Sequence, residues 1–405
     1  MPGASIPGQD TTAIVRRALQ APDAPPPEWS ALHATDLVAV AAHHRVFLLL
    51  GWLLRAAGTL AAWPPAFVRA FQDLEPQSVA IDGVRHRELM RALGTLTQAG
   101  VRVLVFKGAA LAHTHYPAAH VRVRSDTDVL VPAVDVHVLA NVLNSLGYER
   151  PPQTSGSLVS YQTHYQKTDR YGVTHAFDVH WKVSNLQALA DCLTFEELWE
   201  ARVPVPALGP SAVTPCGVHA LLLALVHRAG HHPGSGDLLW IYDLHLLAGR
   251  LTPEEILQVQ ELAGGRGLSQ IAADGLALAH EWFGTATVDR AVDALRAGAS
   301  SRVAGIHAMR SRTDVLLVDL RALSGWRARG RLIREHLIPP ASYMRARYGV
   351  RSTLLLPGLY VWRMMAGAPK WLVNHHAEDD ATVSRQDHRE PRHRRREAKR
   401  DLDDR

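Results

Sequence analysis

Apolar residues recur at helical spacing through the first hundred residues of the chain. The spacing predicts helices over residues 29–71 that break at a Pro-Pro pair, and an amphipathic helix over residues 81–100 that a glycine closes. Residues 1–27 show no such apolar run, and we expect them to be a loose leader. Residues 28–100 are therefore predicted as a helical lead-in that packs on whatever follows.

The middle third has a different pattern. Residues 101–106 form a short, β-branched apolar run that stops at Lys107-Gly108, which predicts a buried strand ending in a turn. Further strands are predicted over residues 126–131, 164–168 and 174–183, with a helix over residues 134–146. Strands that alternate with helices indicate an α/β or α+β core over residues 101–205.

Residues 203–215 hold four prolines and a glycine and form the best internal boundary. After it, helical spacing resumes and predicts a helical C-terminal domain over residues 206–375. Residues 376–405 are almost entirely polar, with nine basic and nine acidic side chains, and predict a disordered polyampholyte tail. Because this tail is neutral, the chain's net charge of +5 belongs to the folded body.

Composition narrows the class of protein. The 405 residues are 47% hydrophobic and 20% charged, which fits a globular chain and excludes a fibrous or wholly disordered one. Two cysteines are too few for a disulfide framework or a four-thiolate zinc site, so we expect a cytoplasmic protein. No apolar run is long enough for a membrane span. The basic excess is compatible with nucleic acid, anionic lipid or nucleotide phosphates.

Three carboxylates stand at strand positions. Asp126 and Asp128 open one predicted strand, and residues two apart on a strand project to the same face. Asp178 shares the second face of its strand with His180, opposite an apolar face that includes Phe177. Adjacent carboxylates repel unless a cation bridges them, and hard oxygen ligands suit Mg²⁺ or Mn²⁺. These carboxylates are therefore candidate metal ligands.

Candidate phosphate-binding groups flank the carboxylates. The turn Lys107-Gly108-Ala109 ends a strand and opens a helix, which leaves backbone N–H groups for an anion. Arg122 and Arg124 come just before the carboxylate pair and can reach phosphate oxygens. Carboxylates, a backbone cradle and basic side chains are the parts of a two-metal phosphoryl or nucleotidyl transfer site.

Three segments resemble the bacterial uncharacterised nucleotidyltransferase family, within the DNA polymerase beta-like nucleotidyltransferase superfamily. They are Val103-Leu-Val-Phe-Lys-Gly-Ala-Ala-Leu111, Arg122-Val-Arg-Ser-Asp-Thr-Asp-Val-Leu-Val131 and Phe177-Asp-Val-His-Trp181, within a resemblance over roughly residues 28–365. The resemblance implies an α+β fold whose nucleotidyltransferase core has a mixed β-sheet. It also implies that Asp126, Asp128 and Asp178 hold metal and that Gly108 contacts phosphate. Ala109 replaces the superfamily's usual serine, so we expect Lys107 to supply that phosphate contact.

Other polar residues are weaker candidates. His180, His227 and Asp243 are predicted to line a pocket, although a packing role is open for each. His227 and His231 have the i, i+4 spacing of a helical zinc site, but Arg228 stands where a metalloprotease needs glutamate. A zinc site is therefore not favoured.

The predicted function is metal-dependent transfer of a nucleoside monophosphate from an NTP to an acceptor hydroxyl, with release of pyrophosphate. The acceptor, a small molecule, peptide or protein, is unidentified. Two alternatives stay open: a binding module without catalysis on the same fold, and a protein-modifying enzyme of the toxin–antitoxin type. Nucleic acid is the less favoured partner, because no platform of interleaved basic and aromatic residues is seen.

Overall fold

A computed structural model describes residues 7–26, 31–153, 156–231, 236–298 and 311–371, with Ile306 and Met309. The helices that precede the third strand along the chain are α1 (Pro7–Gln20), α2 (Ala31–His43), α3 (Phe47–Ala56), α4 (Pro65–Gln98), α5 (Lys107–Thr114) and α6 (Val136–Ser145). The strands are β1 (Leu104–Val105), β2 (Thr127–Leu130), β3 (Gln162–Thr168), β4 (Thr174–His180), β5 (Arg202–Pro204) and β6 (Val213–Pro215). The later helices are α7 (Phe195–Glu200), α8 (Gly217–His231), α9 (Leu238–Gly249), α10 (Pro253–Gly265), α11 (Ser269–Phe283), α12 (Asp289–Ala297), α13 (Arg312–Ala322), α14 (Trp326–Leu337), α15 (Ala341–Tyr348) and α16 (Leu356–Trp371).

The central sheet has four strands in the order β1-β2-β4-β3. β2 and β4 are parallel, whereas β1 and β3 run antiparallel to their neighbours at the two edges. A mixed sheet with helices before and after it confirms the predicted α+β class. The predicted strands are all present, although only Leu104 and Val105 of the first apolar run pair as a strand.

The two faces of the sheet lie in different hydrophobic cores. Val105, Val129 and Phe177 point into a core with α4 and α6, as strand alternation requires. Leu104 and Leu130 point to the opposite face, into a larger core that the N-terminal and C-terminal helices share. Asp128 and Asp178 alternate in step with Leu130, so their side chains lie on the face towards α5 and the C-terminal helices.

The N-terminal segment corrects one prediction. The leader expected to be loose contains α1, where Val15 is fully buried and Leu19 nearly so, and α1 packs on α2, α3 and α11. Val15, Ala18 and Leu19 stand at helical spacing, and this short apolar face is buried against the neighbouring helices.

The predicted boundary at residues 203–215 is a small hairpin. β5 pairs with β6, and β6 packs on the edge strand β1. Val205 and Leu208 in the connecting loop are buried in the same core as α4. The hairpin therefore attaches the later helices to the sheet. The predicted tail, residues 376–405, lies outside the described residues.

Sequence signals fix where several later helices begin. Thr252 caps α10 in a capping box with Glu255 and is followed by Pro253. Thr194 forms a capping box with Glu197 at the start of α7. Within the described residues, no single helix combines the length and apolarity that crossing a membrane demands. The two short apolar helices Asp36–His43 and Phe47–Ala56 meet that test only as a pair, with a bend of 112° between them.

A close helix approach gives a stability prediction. The Cα of Gly51 in α3 lies against Phe71 of α4, and a Cβ there would be 2.2 Å from the ring. Because Phe71 is buried and its ring packs against that of Phe47, we expect Gly51→Ala to cost about 1–3 kcal/mol. Thermal denaturation would show a lower Tm.

Gly83 is the matched control, since it lies inside α4 and a Cβ there meets nothing within 4 Å. Gly83→Ala should stabilise the protein by about 0.5–1 kcal/mol, because alanine loses less backbone entropy in a helix. Equal effects of the two substitutions would contradict this packing.

Candidate active site

Strand register brings two carboxylates side by side. Asp128 of β2 pairs with Asp178 of the parallel strand β4, and Asp178 pairs with His164 of the antiparallel strand β3. The three residues thus form one row across adjacent strands. Ligand atoms of Asp128, Asp178 and His180 all lie within 4.8 Å of one another, so this group can hold a metal ion. Sequence analysis predicted the carboxylates, and the structure adds His180 to them.

Two cationic or proton-donating groups hold Asp128. Lys107 Nζ donates to Asp128 Oδ1 at 2.7 Å, and His180 Nε2 lies 2.9 Å from the same oxygen. Burial alone would raise the pKa of Asp128, but Lys107 and His180 outweigh it and hold the pKa well below its usual range. Asp128 is therefore a carboxylate at neutral pH. His180, which burial keeps at a lowered pKa, orients that carboxylate.

The negative charge of Asp126 is the least compensated of the three carboxylates by nearby positive charge. It directly precedes β2, and burial together with repulsion from Asp128 and Asp178 raises its pKa to about 6. Lys107 and His164 oppose this shift only partly. An uncompensated negative charge of this kind is what a divalent cation relieves.

His164 is the residue that sequence reasoning missed. Its Nδ1 lies 2.6 Å from Asp178 Oδ1, and Asp178 raises the pKa of His164 by hydrogen bonding. The sequence predicted a strand at this position but not which strand it joins. Only the pairing of β3 with β4 makes His164 a neighbour of Asp178.

The turn after β1 is strained. Lys107 begins α5 with φ of +52°, in the left-handed region that residues other than glycine rarely occupy. This conformation accompanies the contact of its ammonium with Asp128. Gly108 follows, and a Cβ at that position would lie 3.4 Å from the Arg122 guanidinium. The first turn of α5, which includes Ala109, has N–H groups without an i−4 carbonyl partner in the helix.

Arg122 lies beside Gly108, but its guanidinium is bound to a protein carboxylate. It is 3% exposed, and its Nε and Nη2 donate to the two oxygens of Asp243 in α9 at 2.9 and 2.6 Å. The Tyr116 hydroxyl donates to Asp243 Oδ1 at 2.6 Å. Since its guanidinium is sealed against these partners, Arg122 joins the core to the C-terminal helices, and the phosphate contact predicted for it is not supported.

Arg124 is engaged in the same way. Its Nη2 donates to Asp82 of α4 at 2.5 Å and its Nη1 to the Ala119 carbonyl at 2.9 Å. These bonds tie the segment before β2 to α4. Because its donors have protein acceptors, Arg124 also lacks support as a phosphate-binding residue.

A cavity opens beside Lys107, between α5, α8, α9 and the β5–β6 hairpin. Its volume is about 100 Å³, which leaves room for a small group. His227 and Asp243, both predicted as pocket residues, line it together with Trp240. Most of the lining is apolar, and burial lowers the pKa of the lining residue His115 to about 4, so its imidazole is neutral. His180, also predicted there, instead contacts Asp128.

The buried ion pair gives a prediction. Replacing Asp243 by asparagine leaves the Arg122 guanidinium charged and buried without a counter-charge, so we expect a loss of about 3–5 kcal/mol and a clearly lower Tm. Glu196→Gln is the control, because its pair with Arg102 is solvent-exposed and should leave the Tm unchanged. Similar Tm values for wild type and Asp243→Asn would contradict the assigned role.

Asp126 gives a pH-dependent prediction. Its pKa of about 6 in the folded state exceeds the ordinary value near 3.8, so the folded protein binds the extra proton and loses stability as pH rises from about 4 to 6. In metal-free buffer, Asp126→Asn should raise the Tm by about 2 °C or more at pH 8 and leave it unchanged at pH 4. A Tm gain that is the same at both pH values would refute this account.

The region that contains this site matches a known protein family. A family model described as "Uncharacterised nucleotidyltransferase" matches residues 30–284, which is more than half of the chain and ends at α11. Among curated proteins, none matches. The matched region contains the sheet, the carboxylate row and the cavity. The chain therefore belongs to the uncharacterised nucleotidyltransferase family.

Proposed function

We propose that this protein transfers a nucleoside monophosphate from an NTP to an acceptor hydroxyl and releases pyrophosphate. The observation that carries the proposal is the row of Asp128 and Asp178 on adjacent parallel strands with Asp126 next to it. Family membership supports the nucleotidyl transfer, and the carboxylate row supports its dependence on a metal ion.

The donor set fits a hard divalent cation. Asp126, Asp128 and Asp178 supply carboxylate oxygens, which suit Mg²⁺ or Mn²⁺, and the raised pKa of Asp126 reflects negative charge that such an ion would neutralise. Bound there, the ion would neutralise charge on the polyphosphate and lower the pKa of the acceptor hydroxyl.

The chain's own groups have distinct parts in the reaction. Asp178 accepts the proton of the attacking hydroxyl, and His164 fixes the orientation of the Asp178 carboxylate through the 2.6 Å contact. His180 orients Asp128 in the same manner. The attacking oxygen forms a bond to the α-phosphorus, and the bond from that phosphorus to the pyrophosphate oxygen breaks.

Lys107 and the start of α5 bind the phosphates. Lys107 lies at the carboxylates, where its ammonium pairs with Asp128, and with a cation bound to Asp128 this ammonium would be available to the polyphosphate. The N–H groups of Gly108 and Ala109, at the positive end of α5, donate hydrogen bonds to phosphate oxygens. Lys107 thereby supplies the contact that the superfamily's serine would make.

The cavity beside Lys107 receives the part of a substrate that does not react. Its apolar and aromatic lining, with the neutral imidazole of His115, favours an uncharged or aromatic group over a charged one. Long nucleic acid does not fit this recess, so the proposed acceptor is a small molecule or a side chain.

Turnover tests the catalytic assignment. Asp128→Asn and Asp178→Asn should lower Mg²⁺-dependent pyrophosphate release from a labelled NTP, in the presence of cell extract as acceptor source, by at least about 100-fold. Asp191→Asn is the matched control, because Asp191 is exposed and pairs only with Lys182 in the described part of the chain. Unchanged turnover in the first two variants would overturn the proposal.

Cation binding is read separately from turnover. Mg²⁺ should raise the Tm of the wild-type protein at pH 8 by mass action, and it should not do so for Asp128→Asn. NTP binding in calorimetry without pyrophosphate release from any acceptor would instead indicate a binding module.

A further inference from the structure

A second cluster of reactive side chains lies apart from the carboxylates, where α8 begins. Cys216 directly precedes α8, and its carbonyl oxygen accepts the first helical hydrogen bond from Ala220 N–H at 2.8 Å. One turn further, His219 Nδ1 lies 3.4 Å from Cys216 Sγ. His219 Nε2 lies 3.3 Å from Glu197 Oε1. Cysteine, histidine and glutamate thus form a continuous chain of polar contacts.

Glu197 is held in place for this contact. Arg266 donates from Nη1 to Glu197 Oε2 at 2.9 Å and from Nη2 to Oε1. Glu197 also completes the capping box of α7 with Thr194. A nucleophile within reach of a base, with a third group that orients the base, is the arrangement that activates a weak nucleophile.

The surroundings of Cys216 favour the thiolate. Burial alone would raise the pKa of the Cys216 thiol, but His219 and the N–H groups at the start of α8 lower it. Burial likewise opposes the charge on His219, yet Cys216 and Glu197 raise the pKa of its imidazole. Both shifts move the proton from sulfur to imidazole.

The chain contains its own reference thiol. Cys192 is the other cysteine of the chain; both thiols are partly buried, and Cys192 is the more deeply buried of the two. Burial raises the pKa of Cys192 to about 12, although the nearby Arg266 and backbone N–H groups oppose this shift. Cys192 is therefore a thiol at neutral pH.

We propose that Cys216, His219 and Glu197 form a modification site at which a Cys216 thiolate attacks small electrophiles. In the reaction with an alkyl halide, Sγ forms a bond to carbon as the carbon–halogen bond breaks, and the halide leaves with the electron pair. The proton stays on His219. The residues on either side, Pro215 and Gly217, line the cavity beside Lys107.

Alkylation kinetics test the site without any dependence on nucleotidyl transfer. The folded full chain is treated with limiting iodoacetamide at pH 7, and mass spectrometry follows the two cysteine-containing peptides over time. We expect Cys216 to react at least about tenfold faster than Cys192, because the thiolate is the nucleophile. Equal rates, or a faster Cys192, would overturn the proposal.

His219→Gln separates activation from access, because glutamine keeps a polar side chain but carries no imidazolium charge. Circular dichroism checks that the variant is folded. In the folded variant, alkylation of Cys216 should slow at least about tenfold, while alkylation of Cys192 keeps its rate. The wild-type rate ratio stands as the test if the variant does not fold. In concentrated urea both cysteines should react at similar rates, and an unchanged Cys216 rate in folded His219→Gln would count against the proposal.

Discussion

The parallel pairing of β2 with β4 is the constraint on which the candidate site depends. It puts Asp128 directly beside Asp178, a position where two carboxylates repel, and the surroundings are arranged to tolerate that repulsion. Lys107 forms an ion pair with Asp128, His180 contacts the same oxygen, and His164 contacts Asp178. What remains uncompensated falls on Asp126, whose pKa rises to about 6. The site therefore holds negative charge that its own positive groups do not balance, and such a site favours binding of a cation.

The sheet and the C-terminal helices are joined by a buried ion pair rather than by apolar contacts alone. Arg122 comes from the segment before β2, Asp243 from α9, and Tyr116 completes the cluster at the end of α5. Arg122 also packs against Gly108 and Trp240, so the same guanidinium touches the turn after β1 and the cavity wall. Because Asp243 of α9 lines the cavity, its pair with Arg122 holds the cavity in place relative to β2 and its carboxylates.

The sequence predicted the α+β class and the strands of the sheet correctly. Strand alternation in residues 174–183 correctly separates Phe177 from Asp178, and the glycine and proline signals mark the turn after β1 and the hairpin after α7. It did not predict the partners of the arginines. A guanidinium near two aspartates in the sequence binds the carboxylate that tertiary packing brings closest, and for Arg122 that carboxylate lies more than a hundred residues away.

By itself, the sequence determined the α+β class, the helical regions on both sides of the sheet and the three carboxylates, because these follow from local periodicity and residue chemistry. The tertiary structure decided which groups surround those carboxylates. His164 reaches Asp178 only through strand register, and the apolar side of α1 is buried only by packing on α2, α3 and α11. Register, burial and ion pairing between distant segments depend on the closed fold, and no local pattern encodes them.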